Sequence, residues 1–144
     1  MKPIQAAIVG ASGYSGAELT RLLRGHPSVR PARLFRLNGD DTIQGAPAPN
    51  GNEHIERFDW HALRGLGVDV LFFCTPHDVS RELIPRAIAN GSRVIDLSGA
   101  WRLKHEQHRA VYDFKDADAS TASALDSSAV YGLPELHGDK IANA

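Results

Sequence analysis

The heptapeptide Gly10-Ala11-Ser12-Gly13-Tyr14-Ser15-Gly16 constrains this chain more than any other stretch. It follows the apolar run Ile4 to Val9 and precedes apolar positions Ala17, Leu19, Leu22 and Leu23 at roughly helical spacing, so it reads as the turn of a strand, turn, helix unit. Such a turn aims backbone N–H groups and a helix N-terminus at one point, an arrangement suited to a pyrophosphate. Glycine at 10 permits the tight turn, Gly13 lets the backbone approach a phosphate, and Gly16 lets the helix pack on the sheet. The spacing is Gly-x-x-Gly-x-x-Gly rather than the commoner Gly-x-Gly-x-x-Gly, and glycine turns also arise for purely geometric reasons. Its place directly after a strand makes dinucleotide binding the reading, with Gly10, Ala11, Ser12, Gly13, Tyr14, Ser15 and Gly16 as contacts.

The pattern continues by alternation. The first helix should stop near Gly25, since His26-Pro27 cannot extend it. A second strand is expected over about Val29 to Leu37, with Pro31 near its start or at an edge position. Asn38 to Asn52, rich in glycine and proline, reads as an exposed loop, and Asp59 to Leu66 as a short helix. Val68 to Phe73 is apolar enough for a strand covered on both faces. A helix then runs through Val79, Leu83, Ile84 and Ala87 to a left-handed stop at Asn90-Gly91, and Arg93 to Leu97 forms another strand. Strands and helices in alternation imply right-handed crossovers and an α/β, Rossmann-like doubly wound fold, its sheet mostly parallel with helices on both faces. Residues 1–144 are expected to form one such nucleotide-binding domain. Asp113 to Ser128, made of Asp, Ser, Thr and Ala, has little apolar surface and reads as a loop or a mobile helix. No terminal helix is expected after Tyr131 to Leu136.

Composition narrows the partners. With 144 residues, 42% of them apolar and 23% charged, the chain can bury a core without disulfides or metal. A formal net charge of −1 lacks the basic excess of a nucleic-acid or membrane-surface binder. The longest apolar run, Val70 to Cys74, is far too short to span a bilayer, and the N-terminus carries no signal-peptide pattern. One cysteine cannot form an internal disulfide, which fits a cytoplasmic setting.

Candidate site residues follow from the fold, because doubly wound sheets bind ligands at the carboxyl ends of their strands. No acidic residue lies between Glu18 and Asp40, whereas Arg21, Arg24, Arg30, Arg33 and Arg36 do; a ribose 2′-phosphate, and therefore NADP, is favoured, with Arg36 and Asn38 as contacts. Arg21 and Arg24 read instead as the solvated face of the first helix. The backbone of Thr75-Pro76 and of Ser98-Gly99 should border the nicotinamide half of the cofactor. His77 reads as a helix-start residue in preference to an acid or base. Cys74, inside an apolar strand, has a desolvated thiol with a raised pKa, the opposite of a nucleophile's requirement. Arg102 suits an anionic substrate, or equally a salt bridge anchoring its loop. His105 and His108 lack a third ligand, so no metal site is expected.

Taken together, Gly10 to Leu19, Thr75-Pro76-His77-Asp78-Val79-Ser80, Asp96-Leu97-Ser98-Gly99-Ala100-Trp101-Arg102-Leu103 and Tyr131-Gly132-Leu133-Pro134-Glu135 resemble the N-acetyl-gamma-glutamyl-phosphate reductases. The resemblance covers essentially the whole chain but only the amino-terminal cofactor domain of that family. It implies NADPH-dependent reduction of N-acetyl-L-glutamyl 5-phosphate to the semialdehyde with release of phosphate, in arginine biosynthesis. It also implies that Arg102 meets the substrate phosphate, and that the full-length enzyme is a homo-oligomer. Trp101 stands where phenylalanine is expected. In the family a cysteine in an Asn-Pro-Gly-Cys segment attacks the acyl phosphate and a histidine handles protons; the resemblance implies that Ala142 to Ala144 begin the strand leading into that segment, and that both residues would lie beyond Ala144, so no catalytic residue is expected here and the chain should not turn over alone. Related readings are an aspartate-semialdehyde dehydrogenase or an aminoadipyl-phosphate reductase. A reading from another class is a stand-alone NADP-binding sensor module.

Overall fold

A computed structural model describes residues 2–37, 54–63, 65, 67–114 and 118–144. Strand β1 (Ile4–Val9) leads into helix α1 (Tyr14–Arg24), then β2 (Val29–Arg36), the two-residue strand β3 (Glu56–Arg57) and the single-turn helix α2 (Trp60–Leu63). Strand β4 (Val70–Phe73), helix α3 (His77–Ala89) and strand β5 (Arg93–Asp96) follow, and helices α4 (Glu106–Ala110), α5 (Ala119–Ser128) and α6 (Pro134–Ala142) complete the order. The strands form one parallel sheet in the order β3-β2-β1-β4-β5. The order reverses at β1, so the crevice beyond its carboxyl end is the ligand position of a doubly wound sheet.

Strand alternation divides the core. Ala7, Val9, Phe35, Leu71 and Phe73 face one side, where Ile84 and Ala87 of α3, Ala122 of α5 and the half-buried Trp60 and Leu63 of α2 cover them. Ile8, Ala11 and Leu34 face the other, under Leu19 and Leu23 of α1. Helices therefore lie on both faces, as the alternation predicts. Between Gln5↔Arg30 and Ala7↔Arg33 the register takes one residue of β1 but two of β2, a bulge of the kind that tolerates a proline in a strand.

Two expectations change and one choice is decided. The sequence gives no sign of β3, which two residues are too short to announce by periodicity. Asp113 to Ser128 contains a regular helix, α5, because the Asp118 side chain accepts the Thr121 N–H at 2.7 Å and caps it, and because buried Ala122 gives it a small face for the core. Ala142 to Ala144 do not begin a strand: Pro134 at the start of α6, Glu135 in its first turn and Lys140 in its last favour a helix, which bends at His137. The proposed loop 38–52, Asn38 included, lies outside the described residues. Among the described residues no helix is long and apolar enough to cross a membrane.

Candidate functional site

At the carboxyl end of β1 the turn is tied to both neighbouring strands. Gly10 N–H and Ala11 N–H both donate to Phe35 O of β2, at 2.9 and 3.0 Å, and Cys74 N–H donates to Val9 O at 2.8 Å. Gly10 has φ +83°, and a Cβ there would collide with the Cys74 carbonyl. At Gly16 a Cβ would stand 2.7 Å from Ala11 Cα and would also strike Gly10 O, so only glycine lets α1 begin against the turn. Gly13 is different. It is the N-cap of α1 at φ −80°, and its nearest neighbour would be Gly10 O at an ordinary 3.5 Å. Among the described residues nothing forbids a side chain at 13, and beside it the first turn of α1 presents N–H groups that have no intrahelical acceptor. Tyr14 is exposed at this opening.

The β4 and β5 exits form a buried polar chain. Thr75 and Ser80 hydroxyls are 2.7 Å apart, and Ser80 donates to Asp96 Oδ1 at 3.2 Å, so Thr75 is the donor to Ser80. Asp96 also accepts from Ser98 N–H at 3.0 Å and from Ser98 Oγ–H at 2.8 Å, and Ser98 Oγ accepts the Ala100 N–H at 3.0 Å. Gly99 N–H donates to His77 Nδ1 at 2.9 Å, and Arg81 Nη1 donates to Ala100 O at 2.6 Å. The N–H groups of Ser98, Gly99 and Ala100 are thus all taken by side chains, and the Thr75 hydroxyl is turned inward. What this edge offers a ligand is carbonyl oxygen and the bare face of Gly99, together with the exposed Arg102, which makes no ion pair or hydrogen bond among the described residues. Among the described residues, therefore, no carboxylate supports the salt-bridge reading of Arg102.

His77 is the first residue of α3, but its ring serves the neighbouring loop rather than its own helix. Cys74 is half-buried beneath the turn; desolvation pushes its thiol up to about 11, against a hydrogen bond with Ser15, with Asp96 adding to the rise. At the far end Arg36 closes β2, and the register sets Arg57 of β3 directly beside it. Arg57 was not legible because it depends on β3. Glu56, an acid outside the interval considered from sequence, is 3.4 Å from Arg33, which offsets its charge. His105 and His108 are ring neighbours at 5.5 Å, and among the described residues no group of three ligands could hold a metal.

Comparison with known proteins matches the profile described as semialdehyde dehydrogenase, NAD binding domain, over residues 5–144. The chain belongs to that family. This semialdehyde dehydrogenase NAD-binding domain is 38% identical over 147 residues to an N-acetyl-gamma-glutamyl-phosphate reductase of Methanosphaera stadtmanae, covering 100% of the chain and 41% of the relative. It is also 38% identical to the reductase of that name from Geobacillus kaustophilus, covering 98% and 41%. The domain spans about 41% of the length of these curated relatives. Among solved structures, a probable aspartate-semialdehyde dehydrogenase from Pseudomonas aeruginosa matches with TM-score 0.52 and 25% identity, over 83% of this chain and 36% of that one. Aspartate semialdehyde dehydrogenase II from Vibrio cholerae matches with TM-score 0.51 and 23% identity, over 70% and 32%, a likeness of fold alone.

Proposed function

We propose that residues 1–144 are the nucleotide-binding domain of an NADPH-dependent N-acetyl-gamma-glutamyl-phosphate reductase. The reaction is N-acetyl-L-glutamyl 5-phosphate plus NADPH plus a proton, giving the 5-semialdehyde, NADP and phosphate. The observation that carries the reading is Gly13: of the three glycines in the turn, it alone has no steric reason among the described residues, and it stands where a pyrophosphate would approach the start of α1. The reductases at 38% identity support the substrate class.

The residues fit the cofactor. Within the Gly10 to Gly16 turn the N–H groups at the start of α1 hold the pyrophosphate, those of Gly10 and Ala11 being given to Phe35 O; Arg36 and Arg57, with Asn38, meet the 2′-phosphate. Thr75, Pro76, Ser98 and Gly99 border the nicotinamide with carbonyls and van der Waals surface, and Arg102 binds the substrate's anionic phosphate. When bound, the dinucleotide supplies the hydride. No nucleophile is assigned to this domain, since Cys74 is held neutral below the turn. The same reading carries a cytoplasmic, homo-oligomeric full-length enzyme.

Calorimetric titration of the chain with NADPH and NADH tests this. NADPH should bind about tenfold tighter or more, the weight of one charge-assisted phosphate contact. Equal affinities would remove the 2′-phosphate assignment, and absence of binding by either would remove the cofactor role.

A further inference from the structure

We infer that His77 is the positioning residue of the Ser98–Arg102 turn: by accepting the Gly99 N–H on Nδ1 it fixes the peptide that sets Arg102 at the ligand edge. This rests on Arg102 as the anion contact. The turn after β5 is gripped from outside itself at two consecutive residues, Gly99 and Ala100, and both grips come from α3. His77 takes Gly99 N–H at 2.9 Å, and Arg81, one helical turn further along the same face, gives to Ala100 O at 2.6 Å. The remaining bonds of the turn are local, from Asp96 and Ser98.

The imidazole is itself held in place. Tyr112 and Phe114 meet it edge-on, with ring centres 5.5 and 5.6 Å away, and stack on each other at 5.4 Å. Phe114 lies over Arg81 as well, 5.2 Å from its guanidinium carbon, while Trp101 lies over the same group at 4.2 Å. The absent side chain of Gly99 completes the arrangement. A Cβ there would stand 3.1 Å from His77 Cε1 and 3.4 Å from Arg102 Nε, so the ring and the guanidinium share the space that glycine leaves open. With Nδ1 accepting, the ring is neutral and carries its proton on Nε2. Because the N–H groups of Ser98, Gly99 and Ala100 are engaged, recognition of an anion at this edge depends on where Arg102 is held.

The two ring nitrogens can be told apart by substitution. An asparagine at 77 places an oxygen near the position of Nδ1, whereas glutamine reaches towards Nε2. The ¹⁵N-labelled 144-residue chain and its H77N, H77Q, H77A and R102A variants would be compared by hydrogen exchange of the Gly99 amide and by titration with inorganic phosphate followed at the Arg102 Nε–H signal, or at the turn amides in R102A. Thermal melts would confirm that each variant is folded. In H77A and H77Q the Gly99 amide should lose protection and phosphate binding should weaken about tenfold, the scale of one lost hydrogen bond, while H77N stays within about threefold of the parent. If H77N is as impaired as H77A, or if H77A leaves Gly99 protected, the positioning role is overturned. If R102A binds phosphate as the parent does, the anion reading fails and with it the placement of Arg102; a defect in R102A alone, with the His77 series unaffected, refutes only the role of His77.

Discussion

Gly13 and Gly16 sit three residues apart in the same turn, and a single methyl group should separate their roles. Alanine at 16 would meet Ala11 Cα and Gly10 O, so Gly16→Ala forces α1 away from the turn and should cost about 1–3 kcal/mol of stability, the usual penalty of overpacking. Alanine at 13 meets only Gly10 O at 3.5 Å, so Gly13→Ala should leave stability within about 0.5 kcal/mol. Its effect belongs to the ligand: NADPH affinity should fall at least about tenfold, because the methyl occupies the space the pyrophosphate needs. Thermal melts and calorimetry on the two variants check both statements, and a Gly13→Ala chain with unchanged affinity would contradict the pyrophosphate assignment. At this scale the sequence was most informative about the turn, since glycine at fixed offsets is a visible constraint. The role of His77 was illegible, because its partner Gly99 lies 22 positions away and meets it only through the fold.

Among the elements, α5 shows how a helix with little apolar surface holds its start. The Asp118 carboxylate accepts from Thr121 and Ser120, which keeps its pKa at about 2, below the usual 3.8. A depressed carboxylate stabilises the folded form above its ordinary pKa and loses that contribution as pH falls towards the folded value. The first turn of α5 should therefore fray as pH drops from about 4 to about 2, seen as loss of amide protection at residues 120–122, and Asp118→Ala should show that fraying already at neutral pH. An acid titration in which the variant and the parent keep equal protection would refute the cap. The elements visible in the sequence were those with bulk: β1, β4 and α3 announce themselves by apolar runs and periodicity. Strand β3 is two residues long and is defined by pairing with Phe35 and Arg36, a tertiary fact. Helix α6 did have a legible signal in Leu133-Pro134-Glu135, which was outweighed by the expectation of a strand.

For the molecule as a whole, alkaline stability is tied to the one thiol beneath the turn. The folded state favours the neutral form of Cys74, with a pKa of about 11 against 9.0 for an unhindered thiol. The unfolded chain therefore releases its proton first, and stability contributed by the thiol is lost as pH rises from about 9 to about 11. Denaturant midpoints measured across that window should fall more steeply for the parent than for a Cys74→Ala chain; parallel curves would show that burial of the thiol has no thermodynamic weight. The parallel sheet and the two-faced core were readable because alternation of strands and helices leaves few topologies. The mutual bracing of the strand exits was not, since it is made of contacts between residues far apart in sequence. One such brace has a consequence for engineering. Phe35 O accepts from both Gly10 and Ala11, so the end of β2 that presents Arg36 is bolted to the phosphate turn. If Arg36 meets the 2′-phosphate as proposed, cofactor preference is not a detachable module: a redesign that swaps the charge at Arg36 and shifts the end of β2 also moves the start of the turn proposed to hold the pyrophosphate, and the two must be retuned together.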